Sequence, residues 1–261
     1  MTIPNEISKL ISTSGNNFHA KVARWFADNG WYVTVSPYYM DQSQNKAREI
    51  DLIVEKTYGI MDHFNRPVGS VAIRLFVECK FIASHAVFWF SEKDTESAKG
   101  LVFSTRAFRE NNTYSQKHHY LSSCQNVAKV FSSNNSGSVE NEPFYKALNQ
   151  VLSAMISLKN QNVSALSNLD RHNRPKLTIE FPVVVCSSFD KLYGVDFYKD
   201  SEPAPLNDHF QLEVQYAYVD RSDKHRNEFF IIDFVDFNSL SGFIDKIDEN
   251  GKVAAYLTGT A

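Results

Sequence analysis

The chain has 261 residues, of which 43% are hydrophobic and 22% are charged, so it can bury a substantial core and is not globally disordered. Its formal net charge of −3 excludes a protein that coats nucleic acid nonspecifically, because such proteins carry a basic footprint.

The first predicted elements are a helix and a strand. Ser14 is a favourable N-cap for a helix from about Gly15 to Asn29, and Gly30 follows its end. The apolar residues of this helix recur at helical spacing and predict a face that packs on a sheet: Phe18, Val22, Trp25 and Phe26. The run Trp31–Ser36 then predicts the first strand, which Pro37 ends.

Two strand-like runs that carry charge follow. Residues 48–56 and 71–81 are rich in β-branched and apolar residues and predict buried strands. The first contains Asp51 and the second contains Glu78 and Lys80, although burying an unpaired carboxylate is costly. Side chains two apart on a strand share a face, so Glu78 and Lys80 point the same way. If the two strands pair, Asp51 and Glu78 come within reach of one ion, because neighbouring strands lie ~4.8 Å apart.

This pattern of charges predicts a divalent metal site. Two carboxylates, together with water and a phosphate oxygen, suit Mg²⁺, which is a hard octahedral ion. Lys80 would place a compact positive charge beside the phosphorus centre. The alternative is a set of surface ion pairs, which contribute only about 0–1 kcal/mol each. The combination of a strand that carries Asp51 with a strand that ends in Glu-x-Lys favours the metal site.

The layout resembles the PD-(D/E)xK nuclease superfamily, and most closely its Mrr-like and Holliday-junction-resolvase-like branches. Members open with a helix bearing G-x-x-F-E, where this chain has Gly15-Asn16-Asn17-Phe18-His19. Asp51 matches the family's metal-binding Asp, and Glu78-Cys79-Lys80 matches its E-x-K, over about residues 11–95. The resemblance implies a restriction-endonuclease-like fold in which Asp51 and Glu78 bind Mg²⁺ and Lys80 assists the attacking water.

His19 departs from this resemblance, since the family helix often carries a glutamate there. Imidazole is a poor ligand for Mg²⁺ but binds borderline metals, so the change could shift the metal preference toward Mn²⁺. Three roles stay open for His19: contact with the phosphate, acceptance of a proton from water, or a structural hydrogen bond. We retain it as a candidate catalytic residue.

The middle of the chain predicts mostly helix. Residues 58–69 predict a loop, and Ala86–Phe90 predicts a short strand, a lid or a core segment. Helices are predicted over about 92–109, 119–132 and 141–159. The polar run 132–138 predicts a flexible loop, and residues 116–172 together predict a helical insert.

The last third predicts strands and a closing helix. Leu177–Cys186 predicts a buried strand, in which Pro182 indicates a bulge or an edge position. Phe210–Tyr218 alternates in polarity, and Glu228–Val235 would pair with it as a hairpin. Residues 237–247 predict the closing helix.

Two other polar features are interpreted as structural. Asp233 lies within an apolar strand, where a nearby lysine or backbone amide would satisfy it. The adjacent His118 and His119 point in different directions on most backbones and would make a poor chelate. No phosphate-binding glycine loop, serine-hydrolase elbow or zinc-protease helix is present.

A nuclease of this net charge needs a local basic surface. The candidates for nucleic-acid contact are Lys46 and Arg48, the turn Gln116–His119, and the run that contains Arg171, Arg174 and Lys176. The last run is the most basic, although each could equally be a solvated loop. Phosphate contacts by such residues would make affinity fall steeply with salt.

Three scattered cysteines and the absence of a long apolar run complete the interpretation. Cys79, Cys124 and Cys186 lack metal-ligand spacing and are typical of reduced, mostly buried thiols. No run approaches the ~18 apolar residues of a membrane span, and Met1–Glu6 lacks the features of a secretory signal. We therefore expect a cytoplasmic protein with no membrane partner.

These features predict a single α/β domain over residues 1–261, with a mixed central sheet, helices on both faces and a C-terminal strand pair plus helix. Its parts would be a catalytic core at about 11–115, a helical insert at about 116–172 and a strand-rich part at about 173–261. We expect a Mg²⁺-dependent endonuclease acting on DNA, with restriction or phage defence implied by resemblance alone. Two alternatives stay open: a nuclease-like module that binds DNA or a partner protein without cutting, and a subunit active only as a homo-oligomer or with a partner subunit.

Overall fold

The computed structural model describes residues 5–41, 46–108, 113–133, 143–159, 175–220, 222 and 224–259. The helices are α1 (Asn5–Thr13), α2 (Gly15–Asp28), α3 (Thr95–Phe103), α4 (His119–Ser122), α5 (Pro143–Leu158) and α6 (Leu240–Gly259). The strands are β1 (Tyr32–Val35), β2 (Tyr38–Asp41), β3 (Lys46–Glu49), β4 (Leu52–Met61), β5 (Pro67–Lys80), β6 (Ala86–Glu92), β7 (Asn126–Ser133), β8 (Leu177–Cys186), β9 (Leu192–Asp196), β10 (Ala204–Pro205), β11 (His209–Val219) and β12 (His225–Asp236). Short 3-10 turns lie at Thr113–Lys117 and Phe237–Ser239.

Ten of these strands form one mixed sheet, in the order β1-β4-β5-β8-β12-β11-β7-β6-β9-β10. The strands β1, β4 and β5 are successively antiparallel, and β8 then runs parallel to β5. β12 runs parallel to β8, and β11 pairs with β12 as the predicted antiparallel hairpin. The prediction of an α/β fold with a large mixed sheet is therefore confirmed.

Helices cover both faces of the sheet. One face packs against α2, α3 and α6, and from β5 it receives Ile73, Leu75 and Val77. The opposite face packs against α5 and receives Phe76 from the same strand. Because β5 is buried on both sides, its sequence is an almost continuous apolar run rather than an alternation.

Helix α2 forms as the sequence predicts. The side chain of Ser14 caps it by accepting a hydrogen bond from the Asn16 amide at 3.1 Å. Its buried residues are Phe18, Val22 and Phe26. Gly30 follows with a φ of 77°, which a glycine adopts without the strain that a side chain would add. The chain then turns into β1, and α2 lies beside the first strands of the sheet.

Residues 58–69 do not form the predicted loop. β4 and β5 continue through them as one long hairpin, whose turn lies between Met61 and Pro67. The carboxylate of Asp62 stabilises this turn, since it accepts hydrogen bonds from the amides of Phe64 and Arg66. Tyr58 and Ile60 in this part of β4 are buried, and the Tyr58 hydroxyl donates to Asp248 on α6.

Residues 48–56 do not form one strand either. Lys46–Glu49 pairs with Tyr38–Asp41 in a separate two-stranded ribbon, and β4 starts only at Leu52. Asp51 lies in the bend between them. The apolar run is therefore divided between two sheets, and the bend places Asp51 at the end of the larger one.

The predicted helix at 119–132 is also wrong. It ends after one turn, at Ser122, and the chain enters β7 at Asn126. Two features oppose a longer helix: Cys124 has a φ of 51°, and the following residues include Val127 and Val130, which favour strands. Because β7 belongs to the main sheet, residues 116–172 are not a purely helical insert. The predicted loop lies outside the described residues from 134 onward.

The remaining predicted helices form with altered bounds. The helix predicted at 92–109 is shorter, at Thr95–Phe103, because Asp94 caps it and the residues up to Glu92 belong to β6. The helix predicted at 141–159 forms as α5. The closing helix is longer than predicted and reaches Gly259. In the described part of the chain, no helix is long and apolar enough to cross a membrane.

Pro182 lies inside the sheet rather than at its edge. β8 is flanked by β5 and β12, but β12 pairs with it only from Val183 to Cys186. The proline therefore marks the point where the two strands separate, consistent with its inability to donate to a ladder. A cleft of about 1010 Å³ lies in this separation, lined by residues that include Lys159 and Pro175. Residues 160–174, which connect those two, lie outside the described part of the chain.

Candidate functional site

Asp51 and Glu78 lie next to each other at the end of two neighbouring strands. The hairpin of β4 and β5 ends at the pair Leu52 and Val77, so Asp51 and Glu78 are the next residues in register. The Oδ2 of Asp51 accepts a hydrogen bond from the Cys79 amide at 2.7 Å. This bond fixes the aspartate carboxylate against the end of β5.

Glu78 is almost fully buried, at 2% exposed. Its Oε1 accepts a hydrogen bond from Lys80 Nζ at 2.8 Å, whereas its buried Oε2 has no partner among the described residues. Burial raises the pKa of Glu78 to about 7; the charge of Lys80 opposes the rise and the charge of Asp51 adds to it. A bound cation would offset both the cost of burying a charged Glu78 and the repulsion between the two carboxylates.

His19 reaches the same bend from α2. Its Nε2 lies 2.8 Å from the backbone carbonyl of Asp51. Because a carbonyl can only accept, Nε2 carries a proton and donates this bond. Of the three roles left open by the sequence, this contact supports a structural hydrogen bond that holds the bend carrying Asp51.

The donor set fits a hard cation only in part. Among the described residues, no group of three or more His, Cys, Asp and Glu side chains is placed to hold a metal ion. An ion at Asp51 and Glu78 would therefore draw its remaining ligands from water and from substrate oxygens, as Mg²⁺ commonly does. The unpartnered, buried Oε2 of Glu78 is the observation that supports this fit.

The predicted basic residues are dispersed. Lys46 is exposed on the ribbon, and Arg48 forms an ion pair with Asp41, with 2.7 Å between Nε and Oδ2. Lys176 lies at the other end of the sheet, where its amide bonds to the Ser70 carbonyl, roughly 25 Å along β5 from Glu78. Arg171 and Arg174 lie outside the described residues. The structure thus brings Asp51, Glu78, Lys80 and His19 together but leaves Lys176 apart from them.

A second polar cluster, centred on Asp233, escaped the sequence analysis. Asp233 is fully buried, and among the described residues its hydrogen bonds are to side chains other than lysine rather than to a lysine or a backbone amide. Its Oδ2 lies 2.8 Å from His119 Nε2, while its Oδ1 lies 3.1 Å from both His209 Nε2 and Gln211 Nε2. The alternation of His209, Gln211 and Glu213 along β11 was the available signal, since it gives that strand a polar face opposite Asp233.

The two adjacent histidines lie in this region with separate partners. Their rings stack with centroids 5.1 Å apart, and the Nδ1 of His118 accepts a hydrogen bond from the Tyr120 amide. Burial lowers the pKa of both histidines. The rings lie face to face rather than pointing in different directions, and each has its own hydrogen-bond partner.

A comparison of the chain with protein-family models, with curated proteins and with solved structures found no match. A functional assignment therefore depends on the geometry of the chain's own residues. The group formed by Asp51, Glu78, Lys80 and His19 is the stronger basis for one, because it combines two carboxylates, a cation and an unpartnered buried oxygen at one sheet edge.

Proposed function

We propose that this chain is a metal-dependent endonuclease that hydrolyses DNA phosphodiester bonds, with Asp51, Glu78 and Lys80 as its catalytic residues. The observation that carries the proposal is the buried Oε2 of Glu78, unpartnered among the described residues and adjacent to Asp51. The order of elements supports the resemblance to PD-(D/E)xK nucleases: a helix, an antiparallel hairpin holding Asp51 and Glu-x-Lys, and a parallel strand beyond it.

Asp51 and Glu78 would hold Mg²⁺, or Mn²⁺ in its place. When bound, the ion would supply positive charge to a phosphate oxygen and acidify a bound water. The ammonium of Lys80 lies beside these carboxylates, where it can orient the attacking water and stabilise the charge that builds on the phosphate oxygens. The water oxygen bonds to phosphorus, the 3′ oxygen leaves, and a 5′-phosphate remains, as the resemblance implies.

His19 acts through Asp51 in this scheme. Its hydrogen bond to the Asp51 carbonyl fixes the bend from which the carboxylate projects, so we assign it a positioning role. The glutamate that the family often carries at this place would have a different function. The change leaves two carboxylates at the site, which is compatible with Mg²⁺ when water and phosphate complete its shell.

A subunit active only in an assembly is the alternative that a specific observation favours. The predicted basic residues that the structure describes are poorly placed to hold DNA. Arg48 pairs with Asp41, Lys176 lies at the far end of β5, and the turn Gln116–His119 buries both of its histidines. A second copy or a partner subunit could supply that surface. Restriction or phage defence is the setting implied by the resemblance, and a cytoplasmic location is the expectation from the cysteines and the N-terminal sequence.

Nicking of supercoiled plasmid DNA in Mg²⁺ or Mn²⁺ tests the proposal. We expect Glu78→Gln and Lys80→Met to abolish nicking, whereas Glu92→Gln, which changes an exposed glutamate on β6, should leave it intact. Nicking that persists in Glu78→Gln would refute the assignment. If the wild-type chain alone is inert, calorimetric titration with Mn²⁺ separates the alternatives, since a module that only binds should show no ion site dependent on Asp51.

A further inference from the structure

The Asp233 cluster continues to a cysteine near the surface. Cys124 lies in the turn between α4 and β7 and is partly exposed. Its Sγ is 3.8 Å from His209 Nδ1, and the other ring nitrogen of His209 is 3.1 Å from Asp233 Oδ1. A thiol, an imidazole and a carboxylate thus form a row of contacts, in which the imidazole lies in the middle and contacts both of the others.

The hydrogen bonds around His119 show which histidine is the charged partner of Asp233. The Oδ1 of Asn250 accepts from the His119 amide at 3.3 Å, so Asn250 Nδ2 faces His119 Nδ1, 2.8 Å away, and donates to it. His119 Nδ1 therefore has no proton, and the neutral ring donates through Nε2 to Asp233. Burial lowers the pKa of His119, which agrees with this assignment.

His209 then carries the positive charge of the cluster. Burial alone would lower its pKa, but the hydrogen bonds to Asp233 and Cys124 outweigh burial and raise the pKa to about 9. Both ring nitrogens are protonated in that state, so Nε2 donates to Asp233 and Nδ1 donates to the Cys124 sulfur. The sulfur is the acceptor of this bond.

A second cation lies close to the same sulfur. Lys93 donates to the backbone carbonyls of Tyr120 and Ser123, the latter being the residue before Cys124. Burial lowers the pKa of Lys93, and the nearby Cys124, Asp233 and Glu213 oppose that change. An imidazolium and an ammonium group therefore both lie near the thiol, an environment typical of reactive cysteines.

An unused acceptor lies in the same cluster. Gln211 is fully buried, and its Nε2 donates to Asp233 Oδ1 at 3.1 Å. The Oε1 of the same amide is buried and has no hydrogen-bond partner among the described residues. A buried amide oxygen without a partner is costly, and an N–H group on a bound molecule would satisfy it.

We propose that Cys124 is a nucleophilic thiol that reacts with small, soft electrophiles carrying an amide, with His209 as its proton partner and Asp233 as the positioning carboxylate. In the reaction, the sulfur bonds to the electrophilic carbon while the bond from that carbon to its leaving group breaks. The leaving group departs with the bonding electron pair, and the thiol proton stays on His209 Nδ1. This activity is independent of the proposed nuclease, whose residues lie on other strands.

Iodoacetamide is a suitable probe, because it is a small carbon electrophile that carries an amide. Alkylation of each cysteine is followed by peptide mass spectrometry at pH 6.5, with N-acetylcysteine as the free-thiol reference. We expect Cys124 to react at least about tenfold faster than the reference. Cys186, which is fully buried, should stay unmodified and reports that the chain is folded. A Cys124 rate at or below that of the reference would overturn the proposal, and this outcome needs no variant.

The pH dependence separates activation from simple exposure. The titratable groups around His209 and Cys124 are Asp233 from β12, His119 from α4 and Lys93 after β6, and Glu213 from β11 interacts with Lys93. His209→Gln should slow alkylation of Cys124 at least about tenfold at pH 6.5 and leave it nearly unchanged at pH 9.5, where an ordinary thiol is already ionised. Lys93→Gln should cause a smaller loss. Equal rates in wild type and His209→Gln at pH 6.5, with Cys186 protected in both, would refute the role of His209.

Discussion

Lys80 Nζ donates to Glu78 Oε1 at 2.8 Å and leaves Oε2 of the same carboxylate buried without a partner among the described residues. This half-satisfied carboxylate has a folded-state pKa of about 7, above its ordinary value of 4.5. The folded chain thus binds more protons than the unfolded chain between those two values. In the absence of divalent metal, this group destabilises the fold progressively as the pH rises from about 4.5 through 7.

Glu78→Gln should remove that pH dependence. We expect the free energy of unfolding of the variant, relative to wild type, to rise by about 3 kcal/mol between pH 4.5 and pH 8, because an amide has no proton to lose. Urea denaturation of both proteins in EDTA across this pH range measures the two unfolding free energies. Subtracting one from the other cancels the contributions of all other titrating groups. Parallel stability curves for the two proteins would contradict the account of Glu78.

Divalent metal should reverse the destabilisation that ionised Glu78 causes. Since an ion competes with the proton on Glu78, we expect Mn²⁺ and Mg²⁺ to raise the melting temperature of wild type more at pH 8 than at pH 6. Asp51→Asn and Glu78→Gln should each lose most of this shift. A metal-induced shift that is the same in all three proteins would locate the ion elsewhere.

His19→Ala tests the positioning role of the helix histidine. The hydrogen bond to the Asp51 carbonyl is expected to contribute about 1 kcal/mol, so its loss should lower the nicking rate roughly fivefold. His19→Gln retains a side-chain donor and should recover part of that loss, whereas a ligand or a general base would not be rescued in this way. Equal impairment by alanine and glutamine would argue against positioning. Mn²⁺ affinity, which should change little in either variant, is the accompanying measurement.

The charge on His209 gives a stability profile of its own. Its folded-state pKa of about 9 lies above the ordinary 6.5, so its contribution is fully present below pH 6.5 and is lost as the pH rises through 9. We expect wild type to lose about 2–4 kcal/mol of unfolding free energy over that window relative to His209→Gln. Urea denaturation at pH 6, 7.5 and 9.5 would show the loss, and a flat difference across those values would contradict a charged His209.

Arg74 should be among the costliest single changes in the sheet. It joins three adjacent strands, donating to Glu55 on β4 at 2.8 Å and to Glu180 on β8 at 3.1 Å. Arg74→Met would leave the buried Glu55 and the partly buried Glu180 without their cation and should cost about 3–5 kcal/mol of unfolding free energy. The triple variant that also carries Glu55→Gln and Glu180→Gln should recover much of this loss. Denaturant midpoints of the two variants provide the comparison.

The sequence predicts those features that depend on local pattern. Helix α2 follows from its cap at Ser14 and its apolar spacing, and the proximity of Asp51 to Glu78 follows from two apolar runs that end in charge. These inferences succeed because cap chemistry and strand alternation act over a few residues.

The rest depends on contacts between distant parts of the chain. His119 and Asp233 are 114 positions apart, and no local pattern indicates that they share a hydrogen bond. The mistaken helix at 119–132 combines both causes: Val127 and Val130 locally favour a strand, but the strand is completed by the pairing of Asn126–Ser133 with β6. The sequence indicates a bulge or an edge position at Pro182. The separation of β8 from β12 at this point, inside the sheet, is evident only from the assembled structure.

That separation has a mechanical consequence. In the main sheet β8 lies between β5, which carries Glu78, and β12, which carries Asp233. Among the described residues, β8 pairs with β12 only where Val183–Cys186 meets Asp233–Asp236. This short ladder joins the two halves of the sheet. Asp233, which accepts a hydrogen bond from the His209 ring, is part of it. The same four residues of β8 pair on their other side with Val77–Lys80, so a change in this ladder would reach the backbone of Glu78 as well as that of Asp233.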